Sequence, residues 1–499
     1  MPVNSEHSEY SKKSAKWQRC RDVVAGQDAV HGAGEKYLPR LKDQTDADYK
    51  AYVMRASFTN YTWRTISGLV GMMLRKPPTI EVPKAIEELL KDVDGAGTPF
   101  QLFVQDDAEN ALTTGRLGIL VDYPEAPAGA TLADAQKLNL RPTMAIYRAE
   151  SIINWRVARV NNRMVPVLVV LKECDDVQKE GDEYVVKEED RWRVLDLIEN
   201  KYRQRVYKKK EQQSAGDKTE FEQIGADVFP QMHNAPMTYI PFYANGSDDA
   251  TLDDVDDPPF IDLVDVNLSH YRTTADYSHG CHFTGLPTLF LSGFKSETEA
   301  DGTPRKVYIG SGAAIVTSDP NADGKYIEFT GQGLEALEKK LNREEQQMAV
   351  LGARALEPQK KAPEAADSGS IRRKGEESML SSVAQAISLC MTRALKTFVE
   401  WAGADPANVA FALSHDFYPA GMSAQDLAGR VAAWSQGAPG FSDQSFFDQM
   451  QEGEVINPEL TLEEEQARIA ERQQQLMDQQ VAAQAAQAEL AATSGSGAP

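Results

Sequence analysis

The apolar residues of this chain change their spacing twice along its length, and those changes constrain the fold more than any single motif does. Tyr49, Val53 and Ala56, then Trp63, Ile66, Leu69, Val70 and Met73, recur at helical intervals. Thr45, with Asp48 three residues later, supplies a helix start. Arg75-Lys76-Pro77-Pro78 supplies the stop, because proline has no N–H with which to continue a helix. A short helix is expected over Lys84–Leu90. Another opens at Thr98-Pro99, with Gln101 placed for a capping box, and runs to about Gly115. The period then becomes that of strands. Leu117–Tyr123, Thr143–Tyr147, Pro166–Lys172, Glu183–Lys187, Arg191–Leu197 and Tyr202–Tyr207 are short β-branched or aromatic runs separated by polar turns, and Met237–Tyr243 is one more. Their close spacing predicts antiparallel pairing, since parallel strands need long crossovers. Helices followed by an antiparallel sheet make an α+β fold.

After Tyr243 the helical period returns. An acidic loop, Ser247–Asp257, leads into Asp257-Pro258-Pro259, read as an aspartate cap with proline in the first turn. Phe260, Val264, Leu268, Tyr271 and Ala275 mark one face of the helix that follows, which ends near Gly280 or a little beyond. Strand-like pieces at Leu289–Leu291, Val307–Ile309, Ala314–Thr317 and Tyr326–Phe329 predict a small separate α/β lobe. A second helix starts after Gly333. Its Leu334, Leu341 and Met348 repeat every seven residues, with Leu337 and Leu351 between, a pattern for packing on other helices. The stretch 357–369, with two prolines, is expected as an exposed loop. A long helix lined by Leu380, Val383, Ile387, Met391, Ala394, Phe398 and Trp401 stops at Gly403 and Pro406. A last helix opens at Thr461 and Glu464, a capping box. One apolar and one glutamine position per heptad form a thin seam there, suited to polar side-by-side packing or to a solvated helix. Residues 494–499 are expected to be disordered.

Charge limits the functions available. The formal net charge is −22, whereas a surface that holds DNA by its phosphates is basic. Cys20, Cys174, Cys281 and Cys390 lie far apart with no CxxC, which predicts a reducing compartment. The first residues lack the apolar core of a signal peptide, and the longest apolar run, near Val165–Leu171, is too short to span a bilayer. A soluble chain made in a cytoplasm is expected, without a membrane partner. No GxxxxGK[ST], GxSxG or HExxH occurs. His279-Gly280-Cys281-His282, with His270 upstream, lacks a second ligand pair at zinc-finger spacing and reads as a helix end. The run Asp253–Asp257 lacks the glycine and distal glutamate of a calcium loop. No cofactor and no metal are expected, and no catalytic residue is assigned. The enzymatic alternative, a metal-dependent nucleic-acid-processing enzyme, would rest on Asp253–Asp257 holding Mg²⁺.

Several segments, taken in order, resemble tailed-bacteriophage portal proteins, and more specifically a portal-like phage family catalogued as a domain of unknown function. Asn60-Tyr61-Thr62 and Gly71-Met72-Met73-Leu74-Arg75-Lys76-Pro77-Pro78 resemble the early portal helix that closes on a glycine-lysine-proline stretch. Gly115-Arg116-Leu117-Gly118-Ile119-Leu120-Val121-Asp122-Tyr123 is similar to the helix-to-strand step that follows it. Ile240-Pro241-Phe242-Tyr243-Ala244-Asn245 is similar to the strand that ends the wing sheet. The resemblance covers about residues 40 to 490.

The resemblance implies a ring, typically of twelve subunits, at one capsid vertex of a virion, through which double-stranded DNA is packaged and ejected. It implies an N-terminal region and wing over residues 1–257, stem helices at 258–282 and 333–351, and a clip at 283–332. A tunnel loop at 352–370, a long wing helix and return at 371–420, and a crown and tail at 421–499 complete the expected order. Arg354, Lys360 and Lys361 are the tunnel-loop residues that would lie nearest the DNA, which passes without sequence specificity. The implied partners are other copies of the chain, the terminase large subunit, the head–tail adaptor, and major capsid and scaffold proteins. The acidic composition suits a conduit, because an acidic wall repels phosphates and forgoes the ion-release gain that would hold DNA in place. Another head–tail connector component is the non-enzymatic alternative.

Overall fold

The computed structural model describes residues 2–124, 137–178, 184–210, 220–285, 288–293, 320–327, 332–352, 366–417, 424–438, 442–453, 455–457 and 460–494. The chain divides into two compact units, Met1–His415 and Asp416–Pro499. The mixture of helices and antiparallel sheets is the expected α+β class.

The first unit begins with helices. α1 (Ser8–Ala25) and α2 (Gln27–Gly32) precede the first helix expected from the sequence. The segment read as one periodic run is two helices, α3 (Asp46–Arg55) and α4 (Tyr61–Met73). Thr45 caps the first, and the Asn60 side chain accepts the Trp63 N–H at 2.8 Å to start the second. α5 (Lys84–Glu87) is short, and ten of the 15 residues of α6 (Phe100–Thr114) are buried.

Two sheets follow. β2 (Arg116–Asp122) is the middle strand of a three-stranded sheet, flanked by β3 (Thr143–Arg148) and β11 (Phe242–Gly246). The other is an antiparallel meander of β4 (Ile152–Val160), β5 (Arg163–Gln178), β6 (Val186–Ile198), β7 (Lys201–Lys209) and β8 (Phe221–Val228), after which β9 (Gln231–Met232) and β10 (Ala235–Pro236) form a short antiparallel pair. β4 and β8 are not expected from the sequence, and β6 takes in residues 186–187 of the strand expected at 183–187 together with the strand expected at 191–197. The turns explain the meander. Asn161-Asn162 and Glu199-Asn200 all have positive φ, between 48° and 64°, as a two-residue hairpin turn of the right twist requires. Ile153, Val170, Trp192 and Val194 form the buried cluster of this sheet. In the smaller sheet, Gly118 is required by close approach, because a Cβ there would lie 2.0 Å from the Phe242 ring. Gly118→Ala should therefore cost about 2–3 kcal/mol of overpacking; a urea midpoint equal to that of the parent would remove this account of the contact.

The helical half begins with α7 (Ile261–Thr284), which starts three residues later than expected and runs past Gly280. Asp257 is not its cap; Phe260 holds that position. A hairpin of β12 (Thr288–Ser292) and β13 (Asp323–Ile327) follows, while the expected strands at 307–309 and 314–317 lie outside the described residues. α8 (Gln332–Leu351) leads on to α9 (Ala366–Trp401), which begins inside the segment expected as loop up to residue 370. The stripe expected for α9 is its core face: Leu380, Val383, Ile387, Met391, Ala394 and Phe398 are fully buried. α9 packs on α6 and β11, and on β14 (Ala410–Ala412), which pairs with β1 (Thr79–Glu81).

The second unit is helical. α10 (Ala424–Ser435) and α11 (Asp443–Glu452) form a hairpin in which Trp434 stacks on Phe446 at 4.8 Å and donates to Asp443 at 2.9 Å. α12 (Leu462–Ser494) opens on the expected capping box. Glu464 N–H donates to Thr461 Oγ1 at 3.2 Å, and Thr461 N–H to Glu464 Oε2 at 3.0 Å. Its seam residues Ile469 and Leu476 are about half exposed, at 49% and 51%.

Candidate functional site: the helix pair and the acidic loop

α7 is held by one face and offers another to α8. Val264, Leu268, Tyr271 and Ala275 sink into a core made by α1, α2, α3 and the chain around Tyr37 and Phe58. Asn267, fully buried on α7, accepts the Thr62 N–H at 3.2 Å and the Thr62 hydroxyl at 3.1 Å, and donates to the Thr59 carbonyl at 2.9 Å. One amide thus satisfies the open first turn of α4 and ties it to α7. Tyr52 of α3 donates to Asp276 at 2.6 Å, and burial followed by that carboxylate holds the phenol far above its ordinary range.

α7 and α8 run antiparallel. Leu334, at the start of α8, lies against Gly280 near the end of α7, while Gly352, just past α8, lies against Leu263 near the start of α7 and Thr65 of α4. Polar contacts join the pair. Ser269 donates to the buried Glu344 at 2.6 Å, and His270 Nε2 lies 3.6 Å from Glu345. Met348 is buried, while Val350 and Leu351 at the end of α8 remain exposed. At the far end of α7 the motif His279-Gly280-Cys281-His282 forms an aromatic cluster. His279 meets Tyr52 and Phe283 edge-on, burial lowers its pKa, and His282 lies 3.2 Å from Arg55.

The acidic loop before α7 is clamped by cations. Arg116, 2% exposed, donates to the carbonyls of Leu252 and Asp254, each at 3.2 Å, and lies 4.1 Å over the Trp155 ring. Burial lowers its pKa to about 10, against the pull of Asp256, Asp249, Asp253 and Asp254, so it remains charged at neutral pH. Arg393 of α9 donates to the Ala250 carbonyl at 3.0 Å. Asp256 accepts from Ser247 and from the Asp248 N–H, closing the loop on itself. Asp257 lies 2.7 Å from both Lys13 and Lys16 of α1, and these hydrogen bonds hold its carboxyl below the usual range. Asp257 is thus tied to α1, three residues before the Phe260 cap of α7. Asp249, Asp253 and Asp254 line an open groove of about 1310 Å³. Two of the carboxylates in the Asp253–Asp257 run are thus engaged in structural bonds. Among the described residues, no group of three or more His, Cys, Asp or Glu is arranged to hold a metal ion. Arg354, Lys360 and Lys361 lie outside the described residues. No described helix is long and apolar enough to cross a membrane.

These elements define a class of architecture: an α+β body from which an antiparallel helix pair carries a β-hairpin between its two arms and leads on to a long helix with a buried face. Residues 259–402, the whole of that helical series, match the family described as domain of unknown function DUF4055. Over 85% of its length the chain is also similar to a solved chain from the neck of a native GTA particle computed with C12 symmetry. The identity is 13%, with 97% of that chain covered and a TM-score of 0.37. A second similarity, over 84% of its length, is to a chain from the neck of an empty GTA particle computed with C6 symmetry. There the identity is 12%, with 96% of that chain covered and a TM-score of 0.35. No curated relative matches the sequence.

The cation clamp on the acidic loop had no signal in the sequence. Arg116 sits in a run that reads simply as a strand, and its partners are carbonyls more than 130 residues further on.

Proposed function

We propose that this chain is a head–tail connector component of a phage-type particle, and within that class a portal subunit: a non-enzymatic ring component through which double-stranded DNA enters and leaves the capsid. The observation that carries the reading is the antiparallel pair α7–α8 with a hairpin between its arms and α9 beyond, the order in which the portal resemblance places stem, clip, stem and wing helix.

In this reading residues 258–282 and 333–351 are the stem, 283–332 the clip, 352–370 the tunnel loop, 371–420 the wing helix and its return, and 421–499 the crown and tail. A helix of the length of α7 is roughly 36 Å long, and about twelve helices of roughly 10 Å width side by side leave a bore of roughly 28 Å, enough for a duplex. The charge of −22 keeps the wall from retaining its cargo. Arg354, Lys360 and Lys361 would touch the passing backbone without reading its sequence. The half-exposed seam of α12 suits side-by-side packing of neighbouring crowns. Terminase and later the head–tail adaptor would dock on the clip, and scaffold and capsid proteins are the further partners.

The test is electron microscopy of the purified protein with mass photometry on the same sample. Rings with a central hole and a mass near about twelve subunits are expected. Rings without a central hole, or metal-dependent nuclease activity lost on substituting Asp253 and Asp254, would overturn the reading.

A further inference from the structure

One cavity in the first unit reverses the sign of the molecule. It has a volume of about 470 Å³ and lies between α1, the turn at 34–37 and α7. Lys16, Arg19, Lys36 and Arg272 line it, with Asp265 as the one carboxylate on its wall. In a chain of net charge −22, four cations converging from three elements are not a by-product of composition.

The nearby acids do not neutralise them. Lys16 shares Asp257 with Lys13, each at 2.7 Å, so one carboxylate serves two ammonium groups. Arg19 pairs with Asp265 at 3.2 Å, and Lys36 with Asp22 at 3.1 Å. The same Asp22 oxygen also accepts the Tyr37 hydroxyl at 2.5 Å. Arg272 has no carboxylate among the described residues, and its guanidinium makes one long hydrogen bond, 3.5 Å, to the Tyr37 carbonyl. The Arg19 Nε is buried without a hydrogen-bond partner. Two guanidinium groups therefore keep unused N–H donors beside a cavity with excess positive charge, and a buried donor left unmade is costly.

We propose that this cavity is an oxyanion site of the phosphate class. A guanidinium presents its N–H donors in a fork that matches phosphate oxygens, and charge-assisted bonds of this kind are the strong ones. A tetrahedral anion accepts from several directions at once, which suits donors arriving from α1, the 34–37 turn and α7. The cavity is larger than one phosphate and open on one side, so the group is either a free phosphate or one phosphate of a nucleic-acid backbone.

Isothermal titration of the full-length chain with inorganic phosphate, at ionic strength held constant with chloride, tests the proposal. Saturable binding is expected. Arg272→Gln should weaken it about tenfold or more, the loss of one charge-assisted contact. Lys36→Gln, at an exposed position, should weaken it too, and carries the test if the Arg272 variant does not fold. Lys12→Gln, whose ammonium pairs with Glu9 away from the cavity, should bind as the parent does. The general salting-out effect of phosphate would act on parent and variants alike. Absence of saturable binding, or binding unchanged in both cavity variants, would overturn the assignment. A short DNA duplex identifies the source: displacement of phosphate by the duplex, lost in Lys36→Gln, assigns a backbone phosphate, and failure to compete assigns the free ion.

Discussion

Arg116→Met should destabilise the first unit by about 3–5 kcal/mol, because two backbone carbonyls each lose a charge-assisted hydrogen bond. Methionine fills most of the arginine stem and can still lie on Trp155, so lost packing is the smaller part. What disappears is the guanidinium that donates to the Leu252 and Asp254 carbonyls and, as a buried cation, faces Asp249, Asp253, Asp254 and Asp256. Leu252 is itself buried, so water cannot replace the lost bond without opening the loop. Arg393→Met supplies the comparison. It removes a single hydrogen bond to the Ala250 carbonyl, and should cost about 1–3 kcal/mol. Urea unfolding of the three proteins, with the slope checked for constancy, measures the difference. Added salt should recover part of the loss in Arg116→Met by screening the loop carboxylates from one another. A loss below about 1 kcal/mol would mean that the acidic loop holds its shape without the clamp, and that Arg116 is retained for another reason.

The helices with a wide apolar stripe were legible in the sequence. The face of α9 read from Leu380 to Phe398 is the buried one, and the capping box at Thr461 and Glu464 forms as written. α1 was not legible because its buried face is narrow: Trp17, Cys20 and Val23 stand in a helix otherwise crowded with lysine, arginine and serine. β4 escaped because register shifts between Ile152 and Asn154, and again between Arg156 and Val157, break the two-residue alternation by which a strand is recognised. The hairpin turns do carry a signal in the sequence: paired Asn161-Asn162 and Glu199-Asn200 supply the left-handed residues that such turns need. The buried polar residues could not have been found. Asp106 and Asp107 are adjacent in the sequence, yet only Asp107 points inward, toward an asparagine 138 positions away. Long-range pairing of this kind leaves no periodicity behind.

Asp107 should make stability fall as pH rises from about 4 to about 7, and Asp107→Asn should remove that contribution. Asp107 is fully buried on α6. Burial raises its pKa to about 7, with Asp106 adding to the rise and the hydrogen bond from Asn245 opposing it. The groups that face it are Asn245 of β11, whose Nδ2 donates to Asp107 Oδ1 at 2.8 Å, and the buried thiol of Cys390 on α9. The other carboxylate oxygen, Asp107 Oδ2, and the single side-chain oxygen of Asn245, Oδ1, have no hydrogen-bond partner. A proton on Asp107 Oδ2 supplies the missing donor and completes an acid–amide pair, so the fold is suited to the neutral acid. The sign follows. The folded value lies above the ordinary 3.8, so between the two the folded chain holds a proton that the unfolded chain has lost. Stability therefore declines as pH rises through that window and levels off above it, by at most about 4 kcal/mol. Asparagine at 107 keeps the accepting oxygen and adds a permanent donor toward Asn245. The variant should match the parent near pH 4.5 and exceed it by about 2–4 kcal/mol at pH 8. Urea midpoints for both proteins across that pH range decide the matter. Parallel curves would show that Asp107 ionises at its ordinary value in the fold, and that water reaches the junction of α6, β11 and α9.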